Sequence, residues 1–416
     1  MKEIKEWKGL PCWEEGDYTA IFSIVNNLMV VARCKKDELN TPESIEALTK
    51  SNFWQYKSNE DVILNEKVLV LCLTERCNCH CRYCFLSADS KGINMSVDIM
   101  HKAIDYAFET SKNRKLKIAG FGGEPTTAFP LLKEMVYYAN KVKAEKYPET
   151  QLSYAITTNG VMNEEIVQFL IDNNFAITLS MDGMESIQNY HRPLADGTGS
   201  YSLVVKNLRK FVEANCNINA RVTVTKYSVK QMSEIVKFFS SNGIKVVHFE
   251  AMCESGRACQ TNDLALQAPT PDEFAENIID AFKTAASLGS SINCSPFVWC
   301  SGNTENRLVV GPSGMVSSCV EIQSPKSEMA PYFGMGNIDE SGVHMHDNKI
   351  RHNAKIQIKD RDCSKCPYYV VCKRSCPSRN YHSTGSTCTT DTFKCEFVKK
   401  VMPYILHSFY ESTYEN

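Results

Sequence analysis

Between Lys67 and Ala251 the sequence switches repeatedly from a short apolar run to a stretch of helical period. The runs are "KVLVLCL", "LKIAGF", "LSYAITT", "FAITLS", "INARVTVT" and "KVVHFEA", and the intervening helical segments lie near 95–111, 126–146, 163–173, 200–214 and 228–241. Strands separated by helices of ten or more residues pair in parallel, because only a long crossover brings the chain back in the same direction. Six strands each followed by a helix predict an α/β fold whose sheet curls fully or partly into a barrel, with function at the C-terminal ends of the strands.

Composition narrows the partners. A chain of 416 residues with 43% hydrophobic content can bury a full core, and a formal net charge of -2 with interspersed signs offers no footprint for a nucleic acid. The N-terminal stretch lacks an apolar signal region and no run reaches roughly 18 apolar residues, so no membrane partner is expected and a cytoplasmic location is. Nineteen cysteines still need a reason. A disulfide framework belongs to short secreted chains, which turns attention to metal. Isolated cysteines such as Cys12, Cys34, Cys72 and Cys216 read as small buried hydrophobes.

The densest group is "TERCNCHCRYCF" at 74–85, directly after the first strand, with Cys77, Cys81 and Cys84 spaced Cys-x3-Cys-x2-Cys. A structural zinc site is closed by four ligands, and Cys79 or His80 could supply the fourth; a four-iron cluster with one open iron uses three. The later strand ends carry "GFGGEP" at 120–125, "TTNG" at 157–160 and "LSMDG" at 179–183.

Together these motifs resemble the radical S-adenosylmethionine (SAM) enzymes. That family has the three cysteines after the first barrel strand with an aromatic, here Tyr83, before the last of them. The resemblance implies a partial (β/α)6 TIM-like barrel, a [4Fe-4S] cluster on Cys77, Cys81 and Cys84, and SAM bound at its open iron. It also implies that Gly122, Gly123 and Glu124 contact the methionine amino group, and that Ser180 and Arg192 contact SAM. A guanidinium can pair the methionine carboxylate through a bidentate bond.

After about residue 290 the sequence reads as loop-rich, with Gly, Pro, Ser and most of the remaining cysteines. Cys294-x5-Cys300-x13-Gly314-x4-Cys319 is followed by Cys363-x2-Cys366-x5-Cys372-x3-Cys376 and then Cys395. Taken alone, the second group is also compatible with a zinc knuckle. The whole pattern resembles the SPASM extension of radical SAM peptide-modifying enzymes, which implies two auxiliary four-iron clusters. One would take Cys294, Cys300, Cys319 and Cys376, and the other Cys363, Cys366, Cys372 and Cys395, with Cys388 as a rival for the last position.

The activity implied is reductive cleavage of SAM, with the 5'-deoxyadenosyl radical abstracting hydrogen from a ribosomally made precursor peptide and a thioether or carbon-carbon crosslink installed. "GTGSY" at 197–201 resembles a segment of such peptide maturases. The sulfatase-maturing branch has an Asp beside the third auxiliary cysteine, whereas Cys319 is followed by Val320 and Glu321. Glu321 is the candidate base. A side-chain oxidase of the anaerobic sulfatase-maturase type and a peptide epimerase are the alternative activities. A flavodoxin or ferredoxin is the expected electron donor.

The expected organisation is an N-terminal unit at 1–66, the barrel at 67–290, the SPASM domain at 291–400 and a C-terminal helix and tail at 401–416. In the first unit "TAIFSIV" and "LMVVARC" flank Asn26 and Asn27 as a hairpin, and Thr41 caps a helix opened by Pro42. Such a unit could bind a leader segment of the peptide.

Overall fold

The computed structural model describes residues 5–7, 10–15, 18–23, 28–32, 35–50, 66–111, 115–294, 306–346, 366, 368, 376–387, 389 and 391–414. Its N-terminal unit is more than a hairpin. Strands β1 (Lys5–Trp7), β2 (Leu10–Glu15), β3 (Tyr18–Ser23) and β4 (Leu28–Ala32) form a four-stranded sheet of their own, antiparallel throughout. The expected hairpin is β3–β4, with Ser23 opposite Leu28, and its turn lies outside the described residues. β1 and β2 escaped sequence reading because "KEW" and "LPCWEE" carry no clear alternation. Helix α1 (Pro42–Lys50) begins as expected: the Thr41 hydroxyl accepts from the Ser44 N–H at 3.2 Å.

The second sheet has eleven strands. Six parallel strands form its centre: β5 (Lys67–Thr74), β6 (Lys115–Gly122), β7 (Gln151–Thr158), β8 (Ala176–Ser180), β9 (Ile218–Val224) and β10 (Val246–Ala251). β5 is buried along six consecutive residues, as a strand covered on both faces must be, whereas β6 alternates. The crossovers contain α2 (Val97–Glu109), α3 (Phe129–Lys146), α4 (Glu164–Asp172), α5 (Glu185–His191), α6 (Tyr201–Glu213) and α7 (Met232–Ser241), and α8 (Pro271–Ser287) follows β10. Ser96, Asn163 and Thr270 accept backbone N–H bonds at the starts of α2, α4 and α8; α2 and α4 fall on the helical segments near 95–111 and 163–173, while α8 lies beyond the segments that the sequence marks.

The barrel is partial. β10 pairs onward with β11 (Ser291–Cys294) and β5 pairs with β12 (Arg307–Val310), both in parallel, so the first and sixth strands are separated rather than joined. β13 (Met315–Ser317), β14 (Gly334–Asp339) and β15 (Gly342–Met345) extend the β12 edge as an antiparallel meander. The tail after 290, which reads as loop, thus supplies five strands to the same sheet. A short helix α9 (Ala330–Phe333) joins β13 to β14. Next come α10 (Pro377–Thr384) and a final helix α11 (Thr392–Tyr414), which starts well before residue 401 and carries Cys395 in its first turn.

Two apolar cores fill the crossover layer. One joins Leu69, Leu71 and Leu73 of β5 to Met100 and Ile104 of α2. The other joins β8–β10 to α6, α7 and α8 and takes in Phe397 and Val401 of α11, whose Phe397 ring lies 5.1 Å from that of Phe274. Among the described residues no helix is long and apolar enough to cross a membrane.

Candidate functional site

The loop after β5 lies across the C-terminal mouth of the sheet. Cys77, Cys79, Cys81 and Tyr83 are buried there with Met252 and Ala258, which follow β10, and they pack against Leu194 and Val161. The loop is pinned through its backbone. His80 N donates to the Pro193 carbonyl at 2.8 Å, Arg82 N to His191 at 2.9 Å, and Ala195 N to Asn78 at 3.0 Å. Arg257 donates from Nη1 to the Cys81 carbonyl at 2.6 Å and from Nη2 to that of Ala88 at 2.7 Å. Asn159 Nδ2 donates to Asn78 Oδ1 at 2.7 Å and faces Cys77 Sγ at 3.7 Å.

The three candidate cluster thiols are free, with Cys77 and Cys81 buried and Cys84 half-buried. Burial pushes the Cys77 thiol up to about 12 and that of Cys81 up to about 11. In Cys77 the Glu124 carboxylate adds to the effect, and in Cys81 the Arg192 charge opposes it. Such thiols become thiolates only against strong positive charge, which a bound metal group provides. Among the described residues no three His, Cys, Asp or Glu side chains converge tightly enough to hold one metal ion. A four-iron cluster would take one thiolate at each of three irons, and three cysteines carried by one loop fit that need.

The second candidate segment is built for close approach. A Cβ on Gly122, whose φ is +136°, would sit 2.2 Å from the Thr74 carbonyl oxygen, and one on Gly123 would sit 2.3 Å from that of Arg76. Gly123 N and Glu124 N donate to those same two carbonyls at 2.8 Å each. The Glu124 carboxylate, 1% exposed, accepts from Thr126 N, Thr126 Oγ1 and Thr158 Oγ1 through Oε1 and from Asn159 N through Oε2. It braces the ends of β6 and β7, and burial raises its pKa. The segment can offer an ammonium its carbonyl oxygens rather than this side chain.

Ser180 closes β8, half-buried, with no side-chain hydrogen bond among the described residues. Arg192 follows α5 directly and is 8% exposed. Its Nε donates to Asp182 Oδ2 at 3.1 Å, Nη1 points to Cys81 Sγ at 3.8 Å, and the guanidinium lies 5.2 Å from the Tyr83 ring centroid. The side chain that organises this corner is Asp182, which in the sequence is marked only as part of "LSMDG". Burial alone would raise its pKa, but the Arg192 charge and the bonds from His191 and Tyr83 bring it down to about 2.

In the C-terminal region Cys319 lies near Cys376, and burial pushes the Cys319 thiol up to about 12 with the neighbouring Cys376 adding to it. Cys294 is buried at the end of β11, where Glu250 and Lys394 act on it. Cys366 and Cys395 are half-buried, while Cys300, Cys363 and Cys372, and the rival Cys388, lie outside the described residues. Cys253, which no motif marked, is pushed up to about 12 by burial and feels both Arg379 and Cys376. Glu321 is bonded to Ser378 and His382, two residues one turn apart on α10. Arg379 on the same helix donates from Nη1 to the Ala251 carbonyl at 3.0 Å and pairs with Asp391 at 2.6 Å, which docks α10 against the end of β10.

Residues 71–251, the span of these strand-end motifs, match the model of the radical SAM superfamily. The chain carries a radical SAM domain. A radical SAM domain implies a four-iron cluster and SAM, and its homologues are enzymes. The chain is 24% identical to a cysteine-type anaerobic sulfatase-maturating enzyme of Clostridium perfringens over 79% of its own length and 93% of that protein. It is 29% identical to an uncharacterised protein of Methanocaldococcus jannaschii over 45% of its own length, and spans 63% of that relative. Among solved structures, anSMEcpe with bound AdoMet matches with a TM-score of 0.67 and 21% identity, over 82% of this chain and 98% of that one. Streptococcus suis SuiB bound to the precursor peptide SuiA matches with 0.55 and 14%, over 85% and 81%. At these identities the structural likeness shows a common fold.

Around the radical SAM domain's cysteine loop, Asn78, Asn159, Asp182, His191 and Arg257 are the polar residues that sequence reading did not single out. Their separation explains it: Arg257 acts on Cys81 from 176 positions away, and Asn159 on Asn78 from 81. The available signal was weaker, polar residues placed just beyond strand ends.

Proposed function

We propose that this chain is a radical SAM peptide maturase that takes hydrogen from a ribosomally made precursor peptide and installs a thioether or carbon-carbon crosslink. Bound together, the cluster and SAM supply a carbon radical able to take hydrogen from an unactivated carbon. The protein's own residues hold and aim. Cys77, Cys81 and Cys84 would ligate three irons, the carbonyls of the Gly122–Gly123 segment would accept from the methionine ammonium, and Ser180 and Arg192 would bind SAM, Arg192 through its carboxylate. The buried walls around Tyr83 and Met252 keep water from the mouth.

In the tail, Cys294, Cys300, Cys319 and Cys376 would hold one auxiliary cluster and Cys363, Cys366, Cys372 and Cys395 the other. The nearness of Cys319 to Cys376 supports the first set. Glu321, partly exposed beside them, is the group in this reading that takes a proton from the peptide, with Ser378 and His382 fixing its carboxylate. A flavodoxin or ferredoxin would deliver electrons.

The observation that carries the peptide reading is the separate N-terminal sheet, with β1 and β4 as its edges among the described residues. An edge strand presents unpaired N–H and C=O groups to which a leader segment can add as a further strand, tethering the peptide while its core reaches the barrel mouth. The second reading, side-chain oxidation of the sulfatase-maturase kind, draws on the likeness over 93% of the Clostridium perfringens enzyme.

The test uses anaerobically reconstituted protein, SAM, a reductant and short peptides synthesised from the open reading frames that neighbour its gene. A crosslink removes two hydrogens, a formylglycine product reacts with hydrazide, and an epimer keeps its mass. Deleting residues 1–60 should weaken peptide modification and spare uncoupled SAM cleavage. Modification at full rate and affinity by the folded truncated protein would remove the leader role.

A further inference from the structure

Asp182 is completely buried and receives donors from three separate elements. Tyr83 of the cysteine loop donates its hydroxyl to Oδ2; Arg192 Nε and His191 Nδ1, from the end of α5, lie 3.1 Å from the same oxygen; and Thr223 N of β9 donates to Oδ1 at 2.9 Å. The second nitrogen of His191 lies 2.9 Å from Thr225 Oγ1, which holds the ring in place. Gln188 adds a brace: its Oε1 accepts from Asp182 N, and its Nε2 donates to Ser200 Oγ, which in turn donates to the Arg192 carbonyl at 2.6 Å. Arg192 is therefore held at both its backbone and its side chain by groups that meet at Asp182.

We infer that Asp182 is a positioning residue for SAM, which aims the Arg192 guanidinium at the cysteine loop and cancels its charge there. With Nε committed to Asp182, Nη1 of Arg192 points to Cys81 Sγ at 3.8 Å. The bond from Tyr83 ties the loop to the same carboxylate, so guanidinium and cysteine loop stay in register. SAM brings a sulfonium and an ammonium against one carboxylate, and a lone buried arginine would add a further positive charge. Paired with Asp182, Arg192 offers hydrogen bonds to a carboxylate while the pair stays neutral.

The inference rests on Arg192 binding SAM, as proposed above, and the test separates the two. Asp182→Asn keeps the shape and removes the charge. In anaerobically reconstituted holoenzyme it should retain its iron yet bind SAM about tenfold or more weakly by calorimetry. The reduction potential of the cluster whose electron paramagnetic resonance responds to SAM should rise, because an uncompensated Arg192 favours its more negative, reduced form. Adding Arg192→Gln should return the potential to the parent value while SAM binding stays weak. His191→Phe and Tyr83→Phe, which remove one donor each and leave both charges, should lower affinity less and leave the potential unchanged. Parent-like SAM affinity and potential in Asp182→Asn, with Arg192→Ala impaired, would overturn the inference alone; loss of the SAM-responsive cluster from folded Asp182→Asn would reduce Asp182 to a support of the loop and also overturn it. Unchanged SAM affinity in Arg192→Ala would bring down the Arg192 reading first and this inference with it.

Discussion

The guanidinium of Arg257 holds the Cys81 carbonyl at 2.6 Å with one arm and the Ala88 carbonyl at 2.7 Å with the other, clamping the cysteine loop at two points. A lysine keeps the charge but has no fork to span both acceptors. Arg257→Lys should lose one charge-assisted bond, about 1.5 to 3 kcal/mol of loop stability. The expected result is faster loss of the SAM-binding cluster to a chelator, followed by its electron paramagnetic resonance signal. An unchanged rate would mean that the loop holds without the clamp.

Glu124 offers a test of how the Gly-Gly-Glu segment works. Its carboxylate oxygens accept four hydrogen bonds inside the protein, so Glu124→Gln turns an amide NH2 toward at least one donor and should cost about 1 to 3 kcal/mol. Chemical denaturation should register that loss, while SAM affinity falls much less than in Arg192→Ala. A larger loss of SAM affinity than of stability would put the carboxylate itself on SAM.

Acid should expose the Asp182 pair. Its carboxyl moves from 3.8 down to about 2 in the folded protein, so the unfolded chain binds its proton first as pH falls. The stability it contributes, about 2 kcal/mol, is fully present above pH 3.8 and is lost as pH falls through about 2. Unfolding of the parent and of Asp182→Asn at pH values between 4 and 2 should therefore converge. A gap that stays constant over that window would assign the pair no such role.

Cluster content can be counted. With both auxiliary sets loaded the protein should hold about twelve irons, and replacing Cys77, Cys81 and Cys84 by Ala should leave about eight and abolish SAM cleavage. A holoprotein with about four irons would remove the auxiliary clusters.

Local signals carried much of this protein. The strand-helix alternation, the cap at Thr41 and the cysteine motif after β5 depend on neighbours a few residues apart, and such patterns survive in a linear string. Short range also misled: β11–β15 read as loop because strands of three to six residues with Gly and Ser have little period of their own and exist through pairing with β10 and β5.

Tertiary structure alone decided what each site residue faces. Arg192 stood out in the sequence through the family resemblance, but the partner that aims it, Asp182, is also the acceptor for Tyr83, ninety-nine positions earlier. The same holds for Glu321, whose partners Ser378 and His382 become neighbours only when α10 docks against β10. Sequence by itself determined which residues could carry chemistry, since that is a property of side-chain type and spacing. Which of them share one buried carboxylate was decided by the fold, because a hydrogen bond depends on distance in space, and the curled sheet sets that distance independently of separation along the chain.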